Sequence, residues 1–118
     1  MLNKLILQGR LTKDVDLKYT STGKTFAIVS IAVQRNYKNQ EGKYDSDFFD
    51  VLFSGKQAET VSNFFHKGDM ILVEGELHQK KYTDRDGNQR TGYNINANAF
   101  HFTAGAKREE PRQTNLGV

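Results

Sequence analysis

The chain has no cysteine, no tryptophan and a single proline, Pro111. Without cysteine there can be no disulfide and no thiolate metal site, which suits a reducing cytoplasm. A near absence of proline beside ten glycines suits strands joined by tight turns. Long apolar runs are missing too. Lys4, Gln8, Arg10, Lys13 and Asp14 interrupt the start of the chain, where the longest apolar run is Leu5–Leu7. That is too short for a signal-peptide core or a membrane span, so the expectation is a cytoplasmic protein without a membrane partner. The three histidines, His66, His78 and His101, are scattered. They lack the spacing of a zinc set, and no cofactor is expected.

Charge is modest: 17 Lys and Arg against 14 Asp and Glu give +3. So mild an excess points only weakly to a polyanion. A chain of 118 residues, 36% of them apolar, can bury one core but not two.

Hydrophobic periodicity then gives the elements. Leu2 to Leu11 reads as a first strand, broken at Gly9 by a bulge or kink. Ser21-Thr22-Gly23 is a turn. Thr25 to Val33 follows, apolar on both faces, as a strand covered on both sides would be. Asn36 to Ser46 is polar and reads as a hairpin loop, and Asp47 to Phe53 as the next strand. Ala58, Val61, Phe64 and Phe65 then recur at helical spacing, with Gly68 placed as a helix C-terminal glycine. Met70 to Leu77 is strand, and Asp84 to Asn88 a hairpin tip. Tyr93, Ile95, Ala97 and Ala99 alternate with asparagines in a period of two. Residues 1–103 form the expected domain, and 104–118 a short flexible tail. Three strands, one helix and two strands make an all-β protein. The order is that of the OB-fold, a five-stranded Greek-key barrel with a helix between the third and fourth strands.

Several apparent motifs fail on geometry. Gly23-Lys24-Thr25 resembles the end of a phosphate-binding loop, but Lys18 stands where that motif needs glycine, and a strand follows instead of a helix. Asp84, Asp86 and Asn88 resemble the start of a calcium loop, but Gln89 and Ile95 occupy its glycine and glutamate positions. Glu74 and Glu76 share a strand face and read as solvated side chains, not a catalytic carboxylate pair. No enzymatic set emerges, and the chain reads as a binding protein.

The chemistry lies in the eight phenylalanines and five tyrosines. Tyr37 is flanked by Arg35 and Lys38, and Tyr82 follows Lys80-Lys81. Phe48 and Phe49 are adjacent in a strand, so one faces the core and the other faces away. Rings interleaved with cations match what a nucleic-acid single strand demands. Its bases stack on flat rings, and the phosphates between them need positive charge. The same tyrosines read equally well as strand-end residues, and the lysines as a solvated face. Stacking alone does not separate DNA from RNA, which differ at the 2′-OH.

Five stretches carry a family resemblance: Leu7-Gln8-Gly9-Arg10-Leu11-Thr12-Lys13-Asp14, Ile31-Ala32-Val33-Gln34-Arg35, Lys56-Gln57-Ala58-Glu59, Lys67-Gly68-Asp69 and Val73-Glu74-Gly75-Glu76-Leu77. In this order and spacing, from Met1 to about Phe102, the sequence resembles the bacterial single-stranded DNA-binding proteins. The resemblance implies sequence-nonspecific binding of single-stranded DNA in replication, recombination or repair, by a homotetramer around which the DNA wraps. It implies stacking rings at Tyr37, Phe48 and Tyr82, and backbone-contacting cations at Arg35, Lys56, Lys80 and Lys81. Arg85 and Arg90 join them as neighbours on the same hairpin. Keeping all three rings argues against a protein adaptor built on the same barrel.

Two departures stand out. The family often has a further ring at the position of Ser54, and the nearest ring here, Phe53, is expected to face the other way. The family's larger members also end in an acidic tip that recruits enzymes. Here Lys107-Arg108-Glu109-Glu110-Pro111-Arg112 and Leu116-Gly117-Val118 stand instead, so recruitment by that route is not expected.

Overall fold

The computed structural model describes residues 1–103; the expected tail lies outside the described residues. Seven elements follow in order: β1 (Leu5–Leu11), β2 (Asp16–Tyr19), β3 (Thr25–Lys38), β4 (Tyr44–Ser54), α1 (Gly55–Phe64), β5 (Met70–Thr83) and β6 (Gln89–Phe102). No described helix is long and apolar enough to cross a membrane.

Alternation along the strands builds the core. Ala27, Val29 and Ile31 of β3 meet Val51 and Phe53 of β4 on one side of the sheet, all fully buried. Ile71 and Val73 of β5 join them, with Phe65 just beyond α1. Burying each such side chain stabilises the fold by about 1.5–3 kcal/mol. Phe53 packs edge-on against Phe100 at 5.9 Å. It faces the core, as the sequence led us to expect, and offers no ring on the outside in place of Ser54.

The strands run β1-β5-β6-β4-β3, and β1 returns to pair with β3. That closes a five-stranded barrel, with β2 added along the edge of β3. All pairings are antiparallel except β4 with β6, where Val51 faces Ile95. Between Ala97 and Ala99, β6 carries one extra residue, Asn98. Its carbonyl accepts a hydrogen bond from Gln57 Nε2 at 2.8 Å, which ties α1 to the barrel at the bulge. Ala58 and Val61 form the buried face of α1.

Several expectations need correction. The loop expected over residues 36–46 shrinks to a tip at 39–43, because β3 and β4 run on past the barrel as a two-stranded arm. β5 and β6 likewise continue to Thr83 and Gln89. Polar composition hid these arms: a ribbon exposed on both faces has no apolar period to read. The short β2 has only Leu17 packed on the core, and four residues are too few to show a period of two. The first strand begins at Leu5, not Leu2. Phe64 lies outside the buried helical face and is exposed. Gly68 does not end α1, which stops at Phe64; at φ 92° it turns the chain into β5 and donates its N–H to Leu11 O at 2.8 Å.

Gly9 makes no bulge. The β1–β5 register runs unbroken through it, with Gly9 opposite Ile71. The glycine serves closure instead: a Cβ there would lie 2.5 Å from the Ala32 carbonyl oxygen of β3. Gly9→Ala is expected to lower stability by about 1–3 kcal/mol, the usual cost of forcing atoms into a packed site. Urea unfolding should show a lower midpoint at an unchanged slope.

Candidate functional site

The outer face of the barrel carries the candidate residues on β4. Side chains at even positions of β4 point away from the core, so Phe48, Asp50, Leu52 and Ser54 form a row. Phe48 is 70% exposed, whereas its neighbour Phe49 packs on the core. The two phenylalanines divide as alternation requires.

Three shallow cavities adjoin along this row. One is bordered by Phe48, Asp50, Leu77 and Tyr93. The next takes in Ile28, Asp50, Leu52, Lys80 and Asn94. The third, about 680 Å³, is lined by Lys24, Phe26, Leu52, Ser54, Lys56 and Glu59, among others. Asp50 belongs to the first two and Leu52 to the last two. Together they form one track running from Phe48 past Lys80 to Lys56, so Lys80, distant in sequence, shares one surface with Phe48 and Lys56.

On the β5–β6 arm, Tyr82 stands opposite Arg90 and beside Gly92. A Cβ on Gly92 would lie 3.3 Å from the Tyr82 ring, so one ring face rests on bare backbone while the side chain stays 46% exposed. Lys80 faces the same side as Tyr82; Lys81, one residue on, leaves the opposite side with Tyr93. Lys80-Lys81 is thus split between two faces. Arg85 sits at the tip, in the turn between β5 and β6.

On the β3–β4 arm, Tyr37 is 64% exposed. Arg35 grips Asp47 with two hydrogen bonds, Nε to Oδ2 at 3.0 Å and Nη2 to Oδ1 at 2.8 Å, and reaches the Tyr37 hydroxyl at 3.4 Å. Asp47 and Phe48 are successive strand residues and leave opposite faces. Tyr37 therefore belongs to the side of the arm away from Phe48.

The expected cations thus fall into two groups. Arg35 is paired with Asp47, and Arg90 with Asp84 at 2.7 Å. Among the described residues, Lys56, Lys80, Lys81 and Arg85 make no ion pair. Tyr93, Phe26 and Lys24 border the track without having been singled out in the sequence. Tyr93 shares its alternation with buried Ile95, which marks it as core until the arm is seen to outrun the barrel.

The rejected motifs resolve into ordinary structure. Gly23 donates to Thr20 O at 3.0 Å in the β2–β3 turn. Asp84 Oδ1 accepts the backbone N–H groups of Asp86 and Asn88, each at 2.9 Å, and Oδ2 takes Arg90. Glu74 is bound by Lys4 and His101, and Glu76 by His78.

These pairs set the acid behaviour. The hydrogen bonds from Arg35 hold the Asp47 carboxyl below the usual range. Asp84 is held down by Arg90 and by its backbone donors. A carboxyl depressed in the folded state adds stability above its unfolded value, near 3.9, and loses it as pH falls through the folded value. Carboxyl carbon NMR should find both groups titrating below about 3.9. In Arg35→Ala, Asp47 should return to the ordinary range. In Arg90→Ala, Asp84 should stay partly depressed, because its backbone donors remain.

The model of the "Single-strand binding protein family" matches residues 2–103. "Single-stranded DNA-binding protein 2" of Listeria monocytogenes is 37% identical over 116 residues, 98% of this chain and 69% of that protein. The "Single-stranded DNA-binding protein" of Bacillus cereus is 44% identical over 87 residues, 74% of this chain and 51% of that protein. "Single-stranded DNA-binding protein 3" of Streptococcus agalactiae is 36% identical over 115 residues, covering 98% and 82%. Against the Bacillus cereus protein, then, the match spans about half the relative's length.

Proposed function

The chain belongs to the single-strand binding protein family, and from that premise we propose that it binds single-stranded DNA without regard to sequence. The observation that carries this is the exposed Phe48 ring on a track that also holds Lys80 and Lys56, neither ion-paired among the described residues. Bases stack on Phe48, Tyr37 and Tyr82, and phosphates meet the cations. Lys56, Lys80, Lys81 and Arg85 contribute most. Arg35 and Arg90 contribute less, because each already has a carboxylate. Since Tyr37 and Phe48 leave opposite faces of their arm, the strand bends over the arm to touch both. The protein works by binding, not catalysis, in the cytoplasm, where replication, recombination and repair expose single strands.

The proposal includes a homotetramer. Residues 5–9 of β1 have a partner strand on one side only, because pairing with β3 is confined to Arg10 and Leu11. An open edge accepts a second copy. Leu2 and Ile6 are exposed nearby and would be covered in such an assembly. Light scattering should return four times the mass of one chain.

Titration with oligo-dT tests the binding. Tyrosine fluorescence should be quenched, and affinity should fall with salt at a log–log slope near −0.7 per phosphate neutralised. Failure to bind a long oligo-dT at low salt would sink the proposal. Tyr37→Ala, Phe48→Ala and Tyr82→Ala should each weaken binding by about 1–3 kcal/mol. Lys80→Ala should flatten the slope by about 0.7, and Arg35→Ala by less, because Asp47 already neutralises it.

A further inference from the structure

The 680 Å³ groove at the end of the track receives no ring from β4, where Phe53 points to the core and Ser54 to the groove. Phe26 of β3 stands directly opposite Ser54 of β4 in the antiparallel ladder. Directly opposite side chains share a face, with Cβ atoms about 4.5–5.5 Å apart. A ring from β3 therefore borders the place where β4 offers only a hydroxymethyl group. The small Ser54 side chain leaves the space open, and Leu52 continues the apolar floor.

The rim of the groove carries charge. Lys24, from the turn before β3, and Lys56, from the first turn of α1, both line it, against one acid, Glu59. Glu59 accepts a hydrogen bond from Thr25 Oγ1 at 3.4 Å. Neither lysine makes an ion pair among the described residues. An apolar floor with a ring at its side and two cations at its edge suits a flat base joined to phosphate. Leu52 also borders the neighbouring cavity with Lys80, so an occupant here is continuous with a strand on the track.

We propose that this groove is a nucleotide subsite, in which Phe26 stacks a base of the bound single strand while Lys24 and Lys56 hold the flanking phosphates. The proposal rests on the single-strand binding argued above. It makes Phe26 a binding residue supplied by the strand next to β4, and Lys24 its partner cation. The subsite lies six residues along β4 from Phe48, about 20 Å at the rise of a strand. It gives the end of the track marked by Lys56 a base contact of its own.

Photocrosslinking tests it on the unaltered protein. Oligo-dT with 5-iodouracil at every position is irradiated on the protein, and the adducts are mapped after trypsin. The peptide from Thr25 to Arg35 contains Phe26 as its only ring, and an adduct on Phe26 is the expected result. Phe26→Leu keeps the apolar bulk but removes the stacking face, and should weaken binding of a long oligo-dT about 5- to 150-fold. Lys24→Ala should flatten the salt slope by about 0.7. Adducts at Phe48 and Tyr82 but none at Phe26, with full affinity in Phe26→Leu, would overturn the subsite and leave the general function standing. A smaller mass for free Phe26→Leu would assign the groove to contact between copies and also overturn it. Absence of any adduct and of any binding would overturn the function and the subsite together. Should Phe26→Leu fail to fold, the adduct map on the unaltered chain decides.

Discussion

Everything on the outer face depends on one close approach, that of β1 to β3 at Gly9 and Ala32. β1 lies along β5 for six residue pairs and then crosses to β3 for two. Only a residue without a side chain lets the backbones meet at that crossing. Closure there curls the sheet into a barrel. It turns Val29, Ile31, Val51, Phe53, Ile71 and Val73 inward together and leaves the even positions of β4 as a continuous outer row. Were the sheet open, the same residues would alternate but would not enclose a core, and the row would have no rigid backing.

The strands outlast the barrel. Beyond closure, β3 with β4 and β5 with β6 continue as two-stranded arms exposed on both faces. A ring on such an arm has no core to enter, so Tyr37, Tyr82 and Tyr93 remain in solvent. Exposed rings are normally a liability, yet here each arm surrounds them with Lys, Arg and Asn. Charge and flat apolar faces therefore share one surface on each arm, the combination that the proposed base stacking uses. The ladder fixes each ring's side, which is why Lys80 and Lys81 part company and why Tyr37 and Phe48 look in different directions.

Charge follows the same logic. The net excess of +3 understates what a phosphate would meet on the track, because the carboxylates are not spread evenly. Asp47, Asp84, Glu74 and Glu76 are each engaged by a nearby Arg, Lys or His. Among the described residues, Lys24, Lys56 and Lys80 border the track without such partners. Two carboxylates do border the track: Glu59, which accepts from Thr25 Oγ1 at 3.4 Å, and Asp50, which lies in the row between Phe48 and Leu52 and accepts the Ser30 hydroxyl at 2.6 Å. A strand crossing there meets a carboxylate, which favours base edges over phosphate at that point.

The sequence by itself determined the barrel class, the opposed facing of Phe48 and Phe49, and the failure of the nucleotide and calcium motifs. All of these follow from period two and from local turn chemistry, which a linear chain displays directly. It also placed Phe53 in the core, so Ser54 has no substitute on its own strand. What it could not display were the arms, the short β2, the pairing of Arg35 with Asp47, and the groove beside Phe26. Thr25 to Val33 is apolar on both faces, so nothing in the string separates Phe26 on the outside from Ala27 on the inside. That distinction needs the register that sets Phe26 against Ser54 and the closure that gives the sheet an inside. Pairing and closure join residues tens of positions apart. Their partners are chosen by hydrogen-bond register and packing, and only the tertiary structure records that choice.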